Sequence, residues 1–123
     1  MAVAAPGREA VALKAFHRIA QRWRLNREQQ ATLLAASPRS IDRWKKGPDK
    51  ATLTKDQFER ISYLLGIYGG LHAVLGDSPL AYEWVMRENV DFGGRTPLDR
   101  MLAGNVGDLA AVRHYVDQWR AGW

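Results

Sequence analysis

Residues 25–47, LNREQQATLLAASPRSIDRWKKG, carry the pattern that decides the fold. Asn26 is a strong N-cap, and Gln29 three residues later can close a capping box, so a helix begins here. Ala31, Leu33 and Leu34 supply the apolar positions of that short helix. Ala35-Ala36 fills a turn where two helices approach closely and a large side chain would clash. Ser37 caps a second helix, with Pro38 at its first position, where a missing N–H is no loss. Ile41 and Trp44 are three apart and share one face, while Arg39, Ser40, Asp42, Arg43 and Lys46 occupy the other. Gly47 stops the helix. A basic helix with one apolar seam suits insertion into a DNA major groove. Each feature alone also fits an ordinary helical hairpin with a solvated face. Their joint register over the whole segment favours the helix-turn-helix.

Composition bounds the rest. At 123 residues, 46% apolar and 25% charged, the chain is one compact unit or two very small ones. It has no cysteine, which excludes disulfides and thiolate metal sites and fits a reducing cytoplasm. No apolar run approaches the length of a bilayer span. The start, MAVAAPGREAVALKAF, has no basic region ahead of its apolar residues and carries Glu9 early, unlike a signal peptide. Residues 1–7 are expected to form a flexible tail. The net charge of +5 is uneven. Residues 1–60 hold 13 Lys/Arg against 6 Asp/Glu, a balance of +7, and residues 61–123 hold 5 against 7, a balance of −2. A basic front half suits a polyanion, because neutralised phosphates release counterions. An acidic, aromatic-rich back half points to a protein partner.

Helical periodicity runs along the whole chain, with no convincing strand alternation. Glu9 to Arg24 reads as a first helix with Val11, Leu13, Phe16, Ile19, Ala20 and Trp23 on its apolar stripe. After the helix-turn-helix, Pro48 forces a break. Thr54-Lys55-Asp56-Gln57 is a second capping box and opens a helix with Phe58, Ile61, Leu64 and Leu65 facing inward. Gly66, Gly69 and Gly70 make residues 54–76 one bent helix or two successive ones. Ser78-Pro79 and Thr96-Pro97 open further helices around the loop NVDFGGR at 89–95. Asp108 to Ala121 is the last, with Leu109, Val112, Val116 and Trp119 at spacings of three and four. The fold class is all-α, with seven or eight helices.

The front segment resembles the Xre (phage-repressor-like) helix-turn-helix family, matching its pattern at Leu25, Ala31, Leu34, Ser37, Ile41, Trp44 and Gly47. It departs at Ala35, where that family usually has Gly; alanine is tolerated there if φ stays negative. The back half, in the order Trp84, Asn89, Gly94, Pro97, Leu98, Gly104, Val112 and Trp123, is similar to the toxin-binding domain of Xre/MbcA/ParS-type antitoxins. The resemblance implies a helix-turn-helix unit over residues 8–66 and a helical toxin-binding domain over 67–123. It implies an antitoxin that neutralises a RES-domain toxin related to ADP-ribosyltransferases. The C-terminal region would block the toxin's NAD pocket, and the chain would repress its own operon.

The same resemblance places Pro38, Arg39, Ser40 and Arg43 at groove-facing positions. Arg39 and Arg43 suit guanine edges, and Ser40, Lys45, Lys46 and Lys50 suit phosphates, as do Asn26 or Gln29. For Asp42 the expectation is an internal pair with Lys45 or Lys46. Trp119 and Trp123, with a terminal carboxylate, have the chemistry to enter a site built for flat rings and a pyrophosphate, rimmed by Arg113, Asp117 and Arg120. Trp119 taken alone reads as core, and Trp123 as a partner contact. The expected partners are the cognate RES-domain toxin, operator DNA and a second copy of the chain, and no membrane. No cofactor or metal is expected: His17, His72 and His114 lack ligand spacing, and no phosphate loop follows a strand. An enzyme is therefore not expected. The competing reading is a stand-alone dimeric Xre-family repressor whose C-terminal domain dimerises or binds a ligand.

Overall fold

Side-chain caps set most of the helix starts. A computed structural model of the chain describes residues 7–122, and among these it has seven α-helices, two short 3-10 turns and no strand. The helices are α1 (Arg8–Arg22), α2 (Arg27–Leu34), α3 (Pro38–Lys46), α4 (Lys55–Leu75), α5 (Leu80–Met86), α6 (Pro97–Met101) and α7 (Val106–Arg120). The 3-10 turns are Pro48–Lys50 and Val90–Phe92. The all-α expectation holds. Apart from Gly7, the expected tail lies outside the described residues.

Asn26 Oδ1 accepts from the Gln29 N–H at 2.8 Å, and Gln29 Oε1 accepts from the Asn26 N–H at 2.9 Å. Thr54 and Gln57 repeat the arrangement at 3.1 and 3.0 Å, and Ser37 Oγ accepts from the Ser40 N–H at 3.0 Å. Each such cap contributes about 1 kcal/mol. Ser78-Pro79 behaves differently, because Pro79 rather than Ser78 is the N-cap of α5. The Ser78 hydroxyl instead donates to the Leu75 carbonyl at 3.2 Å and accepts from the Leu80 N–H at 3.3 Å, joining the end of α4 to the start of α5.

The turn between α2 and α3 is left-handed. Ala35 sits at φ +50° and ψ 46°, not at negative φ, and its N–H closes on the Thr32 carbonyl at 3.2 Å. Alanine pays about 1–2 kcal/mol for that conformation, which glycine would not. Packing sustains it: Leu33, Leu34, Ile41 and Trp44 on either side are all buried.

Three glycines do not interrupt α4, which runs unbroken from Lys55 to Leu75. Gly66 and Gly70 are four residues apart and lie against α7. The space a Cβ would take is filled at Gly66 by the Arg113 guanidinium and at Gly70 by Val116 Cγ1. The two glycines therefore let α7 approach the α4 backbone, and this packing offsets their poor helix propensity, about 1 kcal/mol each.

One connected core results. It includes Leu13, Phe16, Ile19 and Trp23 of α1, the apolar residues of α2 and α3, and Ile61, Leu64, Ile67 and Leu71 of α4. Val85, Leu98, Met101, Leu109, Val112 and Val116 continue it through the back half. Two expected core residues lie outside it: Val11 is 58% exposed and Leu65 40% exposed. Arg60 is buried instead. Its Nε donates to Asp56 at 2.8 Å and its Nη1 to the Leu33 carbonyl at 3.4 Å, so it also satisfies the C-terminal end of α2.

Candidate functional site

Two surfaces stand out on this framework. The first is the outer face of α3. It is linked to α2 by a forked ion pair, with Arg27 Nη2 2.8 Å and Nε 3.3 Å from the two Asp42 carboxylate oxygens. Asp42 thus pairs with α2, not with Lys45 or Lys46 as the sequence led us to expect. A planar guanidinium matches both oxygens of a carboxylate, which an ammonium cannot do. Lys45 and Lys46 are exposed, as are Arg39 and Arg43 one turn apart.

Ser40 is half-buried at the N-terminal end of this face. Its hydroxyl accepts from Ser37 Oγ at 3.0 Å and from Arg43 Nη2 at 3.3 Å. Pro38 is half-buried at the first helical position, so this end of the helix is built by Ser37, Pro38 and Ser40 together. Asn26 and Gln29 are committed to their capping box, while Lys50 is exposed at the end of the first 3-10 turn. Behind α3, His17 of α1 has its pKa lowered, first by burial and then by the nearby Lys45 charge, against a hydrogen bond with the Leu13 backbone.

The second surface is aromatic and joins α5, the Val90–Phe92 turn and α7. The Trp84 ring centroid lies 5.9 Å from Tyr115, 6.0 Å from Trp119 and 6.2 Å from Phe92. Phe92 and Tyr115 are 5.2 Å apart. All four rings are half-buried, and Val90 beside them is 88% exposed. The Tyr115 hydroxyl donates to Asp91 at 2.8 Å; burial and then this carboxylate raise its pKa. Asn89 shapes the turn by accepting from the Asp91 N–H at 2.9 Å, and its own N–H reaches the Arg95 carbonyl at 2.9 Å.

The sequence-derived residues of this half fall into two groups. Arg113 Nε lies 3.1 Å from both Asp117 oxygens, and its Nη1 is 3.5 Å from the Ser62 carbonyl of α4. Arg120 follows at helical spacing on the same side and is exposed. Trp119 lies roughly 120° round the helix from Arg113 and belongs to the aromatic cluster. Trp123 lies outside the described residues. Helical spacing already puts Tyr115 beside the Trp119 face of the last helix, but it does not bring Trp84 and Phe92 to them. Phe92 lies in a segment without periodicity, so only the fold shows that it joins the others. Among the described residues, no cluster of acids and histidines fits a metal ion, and no helix is long and apolar enough to cross a membrane.

Residues 2–66 match the family described as the antitoxin Xre-like helix-turn-helix domain, and residues 71–122 match the antitoxin Xre/MbcA/ParS C-terminal toxin-binding domain. The chain belongs to the Xre/MbcA/ParS antitoxin family. The uncharacterized protein y4oB of Sinorhizobium fredii is 41% identical to this antitoxin over 111 residues, covering 89% of this chain and 84% of that protein. A chain of the M. tuberculosis MbcT–MbcA toxin–antitoxin complex shares the fold with a TM-score of 0.61 at 24% identity, over 91% of this chain and 96% of that one. The α3 face of the antitoxin thus belongs to its helix-turn-helix domain, and the aromatic face to its toxin-binding domain.

Proposed function

We propose that this antitoxin neutralises a RES-domain toxin by obstructing its NAD pocket, and represses its own operon through α3. In this reading residues 8–66 serve the operator and residues 67–123 serve the toxin. Arg39 and Arg43 read bases, Pro38 and Ser40 seat the helix end at the groove, and Lys45 and Lys46 hold phosphates. Residues 119–123 approach the NAD pocket, where an indole fills a ring slot, and Arg113, Asp117 and Arg120 line the rim. A homodimer within a larger toxin–antitoxin complex supplies two operator half-sites. The setting is the cytoplasm, and the antitoxin acts as an inhibitor rather than a catalyst.

The observation that carries the reading is the separation of the two surfaces on one core. The basic face lies on α3 and the aromatic cluster on α5, the Val90–Phe92 turn and α7, so the two occupy different elements of the described residues. Co-expression of the tagged chain with the toxin encoded beside it tests this. A stable complex whose NAD consumption is suppressed is the expected result. A chain that binds upstream DNA and captures no neighbouring gene product is a stand-alone repressor instead.

A further inference from the structure

The C-terminal end of α1 meets α4 and α5 at a cleft of about 350 Å³ that belongs to neither surface described above. Its walls include Arg22, Trp23, Arg24, Tyr68, His72 and Tyr82. That volume lies at the lower end of small-molecule pockets. Trp23 is only 1% exposed, yet its indole Nε1–H has no hydrogen-bond partner. A buried donor left unsatisfied costs about 1–3 kcal/mol.

Arg24 adds a second anomaly. It sits at φ +55°, just beyond the C-cap of α1, where its N–H reaches the Gln21 carbonyl at 3.2 Å and the Leu25 N–H reaches that of Ala20 at 2.9 Å. Glycine is the usual residue at such a position, and arginine strains the backbone there by about 1–2 kcal/mol. What arginine adds is its guanidinium, which stacks 4.9 Å above the Tyr82 ring. That contact ties α1 to α5, but it accounts for neither the open volume nor the orphaned Trp23 donor.

The other groups on the walls agree in character. The Tyr68 and His72 rings are 4.2 Å apart, and Trp23 lies 6.2 Å from Tyr68. Arg22 and Arg24 outnumber Asp77, which lies at the edge with its carboxylate 3.9 Å from His72 Nε2.

We propose that this cleft binds a planar aromatic anion, a ring carrying one phosphate or carboxylate group. The ring would pack against Tyr68 and Tyr82, and Arg22 and Arg24 would hold the anionic group. Since the Trp23 Nε1–H is closed off from solvent, an acceptor atom would take its proton only once the walls part on binding. Because such a ligand touches α1 and α5 together, its binding and the mutual position of these helices are thermodynamically linked.

The test follows the indole N–H signals of the isotopically labelled full chain by NMR, with the Trp23 signal assigned through Trp23→Phe. The probes are adenosine monophosphate and indole-3-carboxylate. Adenosine and inorganic phosphate supply the ring alone and the charge alone. A saturable shift of the Trp23 signal with at least one ring-bearing anion is expected, and which one responds separates phosphate from carboxylate. Arg24→Gly relieves the strained backbone while removing the guanidinium, so it should keep the fold and weaken binding about tenfold or more. The proposal fails if neither anion shifts the signal at about 5 mM, well above ordinary ligand affinities. It fails equally if adenosine binds as tightly as its monophosphate, or if Arg24→Gly binds unchanged.

Discussion

Val116 Cγ1 of α7 stands where a side chain on Gly70 of α4 would begin. This close approach seats α7 on the long helix and so positions the aromatic cluster at its outer end.

Gly70→Ala is expected to destabilise the protein, because overpacking costs about 1–3 kcal/mol while alanine's better helix propensity returns about 1 kcal/mol. Gly69, one residue earlier, has nothing within 4 Å of its missing Cβ. Gly69→Ala should therefore stabilise by about 0.5–1 kcal/mol. Urea unfolding of the two variants checks the pair. Equal shifts in the same direction would show that α4 and α7 do not pack through this seam.

His17 makes stability depend on pH with a defined sign. Its folded pKa lies below the ordinary imidazole value of about 6.5, so between the two the unfolded chain binds more protons. The stability associated with neutral His17 is complete above about pH 6.5 and declines below it, levelling off once the folded imidazole is also protonated. Unfolding of wild type and His17→Gln between about pH 5 and 7.5 should converge on one slope at the alkaline end and diverge at the acidic end, with the variant the less sensitive. Superimposable slopes would contradict this.

The exposed arginines of α3 should separate the two activities. Arg39→Ala combined with Arg43→Ala removes both candidate base contacts, each worth about 1–3 kcal/mol of discrimination. Sequence-specific operator binding is expected to vanish, while the melting temperature and toxin neutralisation stay unchanged. Fluorescence anisotropy on operator and scrambled duplexes at several salt concentrations measures the loss. Retained specificity would move recognition away from α3.

The residues differ in how much of their role is legible without a structure. Asn26, Gln29, Thr54 and Gln57 act on neighbours within one turn, so the helix starts they set are readable from the sequence. Ile41 and Trp44 are buried as their spacing requires. Gly66 and Gly70 read as interruptions because their neighbours, Arg113 and Val116 of α7, lie far along the chain and local propensity carries no sign of them. The Asp42–Arg27 fork spans 15 positions and the Arg60–Leu33 contact 27, so both depend on how α2 is placed and neither shows in local spacing. Tyr115 likewise meets Phe92 and Asp91 only after α7 has folded back over α5 and the turn between them.

The central claim is that the end of α7 and the residues after it close the toxin's NAD pocket. The most direct measurement is the NAD consumption of the purified toxin, titrated with the intact antitoxin and with a chain lacking residues 119–123. The intact chain should suppress consumption in proportion to the complex formed. The shortened chain should still bind operator DNA and lose inhibition by about tenfold or more, as expected when a buried aromatic anchor is removed. Full inhibition by the shortened chain would contradict the account and place the inhibitory contact elsewhere on the antitoxin.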